Sequence, residues 1–269
     1  MIEEPREAAR TRYTVLLISA IAWALLVLTP DGGMLTHCPA AASGAIWPVP
    51  SLWKLLAMSL SMCAPVSLVA GWALMLAAMM SPALIQPVRH IQLRSFVRRR
   101  ARLVTLFVLG YTAVWMGIGC VLLGLQLVIA IIAPQSWLPA VVVVLLAVVW
   151  QCSPIKQRCL NRCHAHLELA AFGPAADFGA LRFGVVHCLW CAGSCWVLMF
   201  ASMLLPRWHI AAMAIAAVLI GCERLERPQQ PCWRPRGLGK VTRFVRVRAR
   251  EHLMAFRLSV RSVSSGDRL

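Results

Sequence analysis

Cys188, Cys191, Cys195 and Met199 fall in one stretch that carries no charge between Arg182 and Arg207. On a helix these four side chains occupy roughly an 80° arc. A single thiol in an apolar helix is small-residue packing. Three thiols and a thioether on one face form a soft-donor surface suited first to Cu(I) and less to Zn(II). His187 stands beside the stripe as a nitrogen donor. A second sulfur group lies in the run from Trp72 to Pro82, where Met75 and Met79 share a face and Met80 points about 100° away. A third pair, Cys159 and Cys163, has the same i, i+4 spacing, with His164 and His166 following as optional donors.

The elements that must position these groups follow from charge placement. The chain of 269 residues is 60% hydrophobic and 14% charged, whereas soluble domains carry about 25% charge. Residues 13–28, 66–86, 103–133, 139–151, 183–205 and 208–222 contain no Asp, Glu, Lys or Arg. Each can cross, or nearly cross, a hydrocarbon layer of about 30 Å as a helix. The expected fold is all-α: a polytopic transmembrane bundle of about six spans. These lie near 13–28, 66–88, 103–133, 139–158, 183–205 and 208–222, between a short lead (1–12) and a basic tail (224–269).

The net charge of +17 is concentrated in the lead, in alternate loops and in the tail. That pattern places both termini in the cytoplasm and argues against nucleic acid as the partner. The lipid bilayer is the partner it implies. Within the tail, Val241, Val245, Ala249, Leu253, Phe256 and Val260 have helical spacing among arginines, as in an interfacial helix on anionic lipid. A cleaved signal peptide is the competing reading of the first span. Glu3, Glu4 and Glu7, and the long gap before the small residues Ala40 to Ala45, weigh against it.

Local features sharpen the spans. Pro82 interrupts the helical ladder and frees a carbonyl near Ala78. Gly110, Gly117, Gly119 and Gly124 predict a small-residue packing face on the third span. The fourth apolar stretch is too short to cross alone, so the helix is expected to continue to about Cys159, with Lys156 snorkelling outward. Glu223 and Arg224 read as an interfacial charge pair. The loop at 29–65 holds Met34, His37, Cys38, Met58, Met62 and Cys63 at irregular spacing, which fits a plain loop better than metal capture. Cys120, Cys152 and Cys222 read as packing.

Depth provides a test of whether the sulfur groups can meet. Met80 and Cys191 each lie about 13 Å along a helix from the flanking Arg89 and Arg182, and Met75 and Cys195 about 20 Å. The two layers match. A Cu(I) bis-thiolate would carry a net negative charge, which a cation such as Lys156 would offset. No span contains an acidic residue and no hydrolytic constellation is visible, so an enzymatic role is disfavoured. Two other functions remain open. In a thiol redox protein, Cys159/Cys163 or Cys191/Cys195 would cycle through a disulfide, against unfavourable i, i+4 geometry. In a structural subunit, the sulfur only packs helices.

Three blocks together resemble a bacterial family of predicted metal-binding integral membrane proteins, sometimes labelled copper chaperones. The first is Trp72-x-x-Met75-x-x-Ala78-Met79-Met80-x-Pro82. The second is Gln151-x-Ser153-Pro154-x-Lys156-x-x-Cys159-Leu160-x-x-Cys163, preceded by Gly110-Tyr111 and Trp115. The third is Gly184 through Cys191-x-Gly193-Ser194-Cys195-Trp196-x-Leu198-Met199, followed by Glu223-Arg224. Ser194 stands where the family pattern has a middle Cys. The resemblance covers roughly residues 65–225. It implies a multi-pass protein of the bacterial inner membrane that carries copper, with a membrane cuproenzyme or a metal carrier as its partner.

Overall fold

The computed structural model describes residues 3–28, 65–133, 136–165, 169–170, 173–205 and 208–234. Among these the regular elements are all helical. They are α1 (Glu3–Leu28), α2 (Pro65–Met80), a 3-10 turn (Ser81–Leu84), α3 (Ile85–Arg94), α4 (Val97–Ile132), α5 (Leu138–Cys152), α6 (Pro154–His164), α7 (Gly173–Met203) and α8 (His209–Arg224). Four stretches are long and apolar enough to cross a membrane: Ala9–Leu28, Leu68–Arg94, Val97–Ile132 and Gly173–Met203. A fifth arises if α5 and α6 count as one bent span. At 16 residues α8 is shorter. His166, the loop sulfurs from Met34 to Cys63 and the apolar tail positions from Val241 to Val260 lie outside the described residues.

The centre of the fold is the α4–α7 pair. Their backbones approach closely because glycine stands at the crossing. A side chain on Gly184 would strike the Phe107 carbonyl, and one on Gly110 the Leu181 carbonyl. Phe107 and Phe183 fill the layer beside the crossing, their rings 5.0 Å apart. Further along α4, Gly119 makes room for the Trp72 indole of α2, whose Nε1 donates to the Trp115 carbonyl at 3.1 Å. Gly117 and Gly124 meet open space instead. The expected small-residue face is therefore two notches, at Gly110 and Gly119, because only those positions turn toward a neighbouring helix.

Pro82 has its anticipated effect. The helix tightens into a 3-10 turn at Ser81–Leu84, and the Ala78 carbonyl accepts a hydrogen bond from Ser19 Oγ of α1 at 2.7 Å. Ala22 and Leu26 of α1 are buried in the same core, so α1 is built into the bundle.

The fourth stretch departs from expectation. It does not run as one helix to Cys159. It ends at Cys152, and α6 leaves at a 62° bend. The cause is local. Ser153 adopts an extended conformation and caps α6, its Oγ accepting from the Lys156 N–H, with Pro154 in the first turn. The Cys152 carbonyl left at the break accepts from the Arg234 N–H at 3.2 Å. The segment after α8 thus folds back along α6, and Asn161 holds it through bonds to the Gln229 carbonyl and N–H.

The stripe-bearing helix α7 also begins earlier than its apolar stretch. Asp177 in its second turn pairs with Arg99 at 3.0 Å and Arg102 at 2.7 Å near the start of α4. This partly exposed cluster ties the two central helices together where their charged ends meet.

Candidate metal centre

The sulfur stripe faces inward. Cys188, Cys191, Cys195 and Met199 are all buried, at no more than 1% exposure. Met75, Met79 and Met80 on α2 are buried as well, and they join the stripe in one continuous core cluster with Cys163 of α6. Cys159, one turn earlier on α6, is buried against α7 at Gly193, where an added Cβ would lie 2.9 Å from its Sγ. Three helices distant in sequence therefore bring their sulfur into one interior.

Cys191 is the hub of this cluster. Its Sγ lies 3.2 Å from the Tyr111 hydroxyl of α4. Cys195 Sγ also lies 3.1 Å from the Cys191 carbonyl. Ser194, at the position of the family's middle Cys, donates to that same carbonyl at 2.6 Å, so its hydroxyl is engaged with backbone. Cys163 and Cys188 belong to the same buried core cluster as Cys191.

The histidines are placed among rings and carbonyls. The His187 ring sits among Phe107, Tyr111 and Phe183, with centroids about 6 Å away. His164 spans two backbone carbonyls, with Nδ1 at 2.9 Å from Leu160 O and Nε2 at 3.2 Å from Arg224 O. It thereby fastens the end of α6 to the end of α8.

Charge at the site is arranged differently from the sequence reading. Lys156 does not snorkel. It is fully buried, and its Nζ lies 2.8 Å from Glu223 Oε1 and 2.6 Å from Gln151 Oε1. Gln151 Nε2 closes the triad by donating to Glu223 Oε1. Glu223 is thus the partner of Lys156 and not of Arg224, because α8 delivers it to the break between α5 and α6. Arg224 takes no part in that triad. Its Nε and Nη2 are buried with no hydrogen-bond partner among the described residues.

The donor set fits a soft ion of low coordination number. Among the described residues no group of three or more His, Cys, Asp or Glu is arranged to hold a metal ion. What the interior offers is a thiol pair, Cys191 and Cys195, with Cys163 and thioethers in the surrounding cluster. A four-coordinate Zn(II) site needs a closed tetrahedral set. Cu(I) is satisfied by two or three sulfur donors and prefers them to nitrogen or oxygen. All nine cysteines among the described residues carry free thiols.

One residue at this site carries no site role in the sequence reading. Tyr111 occurs there only as part of a quoted block. The signal available for it was its place beside Gly110 on a helix with few hydroxyls.

The family model described as "PpoB2: Copper chaperone" matches residues 69–244. No curated protein and no solved structure matches the chain. The matched region runs from α2 through α8 and contains every sulfur of the buried cluster. The chain belongs to the family described as PpoB2, copper chaperone.

Proposed function

We propose that the chain is an integral protein of the bacterial inner membrane that binds Cu(I) as cargo and passes it on as a chaperone or assembly factor. The observation that carries this reading is the burial of Cys191 and Cys195 in one core cluster with Cys163 and the α2 thioethers, with the Tyr111 hydroxyl 3.2 Å from Cys191 Sγ. Two deprotonated thiols would hold the ion, with Cys163 or a Met75, Met79 or Met80 thioether as a third donor. Cys159 and Cys163 on the short helix α6 would form the transfer position at the cytoplasmic mouth. The receiver would be a membrane cuproenzyme, and the donor a metal carrier. The family description supports copper.

Membrane insertion is supported by the surface. Large apolar side chains are exposed along α1, α4, α5 and α8, among them Leu17, Val121, Leu145 and Val218. A water-facing bundle would hide most of them, whereas lipid accepts them at no cost.

The test is metal analysis of the detergent-purified protein loaded with Cu(I) under reducing conditions. Serine preserves size but is a hard, weak donor for Cu(I). The wild type is expected to retain about one copper per chain, and the Cys191→Ser/Cys195→Ser variant less than about a tenth of that. Equal copper in both proteins would leave the sulfur cluster as packing.

A further inference from the structure

A cleft of about 780 Å³ lies between α1, α2, α3 and α4, with no residue of the stripe-bearing α7 in its lining. Two hydrogen bonds set the register of its walls. Gln92 Nε2 of α3 donates to Thr11 Oγ1 of α1 at 3.0 Å, and Ser19 Oγ of α1 donates to the Ala78 carbonyl of α2 at 2.7 Å. α1 therefore runs antiparallel to α2 and α3, and Arg10 stands level with Gln92. α4 starts shortly after α3 ends, at Val97, so Arg100 lies at that same end. The lining follows this order. Arg10, Thr11, Gln92 and Arg100 line one end, and Ile18, Leu76, Val108 and Trp115 the other. From Val104 to Trp115 the wall of α4 is about 16 Å long, close to half of a hydrocarbon layer of about 30 Å.

We propose that this cleft seats one anionic phospholipid, its headgroup phosphate at Arg10 and Arg100 and an acyl chain along α4 toward Trp115. The site rests on membrane insertion and is independent of copper. Its volume falls within the range of about 300–1,000 Å³ common to small-molecule sites. A basic end followed by one leaflet's depth of largely apolar wall matches a lipid from head to chain. Guanidinium groups suit phosphate because their planar forks donate to two oxygens at once. The mouth is also held in shape. The Thr11–Gln92 bond ties α1 to α3, and Arg100 Nε donates to the Ser95 carbonyl at 3.4 Å, at the corner between α3 and α4. Charge decides the occupant. An anionic headgroup is attracted by both arginines, whereas the chain's own tail, residues 224–269, is itself basic and is repelled by them.

The experiment titrates the detergent-purified full chain with phosphatidylglycerol or phosphatidylcholine and counts bound lipid by native mass spectrometry. The wild type is expected to hold one phosphatidylglycerol at least about tenfold more tightly than phosphatidylcholine. Arg10→Gln/Arg100→Gln should weaken phosphatidylglycerol binding about twentyfold. Arg98→Gln/Arg182→Gln removes the same charge from exposed positions outside the cleft and should change it less than about twofold. Equal losses in the two double variants would mean that general surface charge gathers the lipid, and that result overturns the site. Thr112→Trp narrows the apolar wall at an exposed position and should release the lipid with the mouth intact. It also carries the test if R10Q/R100Q does not fold, since wild-type binding in T112W would overturn the site. A chain that stays soluble without detergent would instead overturn membrane insertion itself, which separates the two failures.

Discussion

Glu223→Gln is expected to destabilise the protein by about 3–5 kcal/mol, the largest effect of any single conservative change in the bundle. The amide keeps the shape of the side chain but removes the charge opposite Lys156. Lys156 is fully buried and Glu223 nearly so, so water cannot screen or replace the lost partner. The ammonium would keep neutral amide oxygens to donate to but lose the counter-charge described beside it. A buried ion pair need not be a net gain over an apolar one, but a buried single ion is costly. The Lys156→Met/Glu223→Leu double variant should therefore recover most of the loss. Thermal unfolding in detergent, read as a double-mutant cycle, measures both quantities. A Glu223→Gln variant within about 0.5 kcal/mol of wild type would show that the triad is wet in solution.

Gly184→Ala is expected to cost about 3 kcal/mol, the upper part of the usual range for an overfilled interior. The clash is with the Phe107 carbonyl, and backbone cannot rotate aside as a side-chain tip can. Relief would require α4 and α7 to separate, which would pull Tyr111 away from Cys191. Copper retention should consequently fall along with stability. Gly117→Ala, on the same helix as Gly110 but facing open space, should instead gain about 0.5–1 kcal/mol from helix propensity. Opposite signs at two glycines of similar sequence context distinguish the notch from a general preference for small residues. Equal effects would remove the close α4–α7 crossing as an explanation.

What the residues disclosed in advance was what local chemistry controls. The helical face shared by Cys188, Cys191, Cys195 and Met199 follows from periodicity alone, and so does the inward turn of that face once charge is absent. Pro82 announced a break and a loose carbonyl, and the structure supplies Ser19 as the group that meets it. The bend at Ser153 was legible too, since a Ser-Pro pair is a helix-start signal. The length argument for a continuous span overrode that signal. The groups that escaped were those whose meaning depends on a partner far away in sequence. Nothing near Glu223 says that it will meet Lys156, and nothing near Tyr111 says that it will face Cys191. Arg224 looked like a boundary marker because arginines at helix ends usually are. Only the fold shows α8 returning to α6, where the Arg224 carbonyl meets His164.

The burial of the thiols sets a clock. On the proposed function, with Cys191 and Cys195 at no more than 1% exposure, a donor or acceptor would reach the ion only after the bundle had opened. The rate of delivery would then be the rate of that opening. The short helix α6 would be the part to move. It joins α5 through a single extended residue, and His164 and Asn161 fasten its far half to Arg224 and Gln229. A carrier that loosened those bonds and the Lys156–Glu223 pair would set when the ion leaves, so residence time would be adjustable without any change in the atoms that hold it.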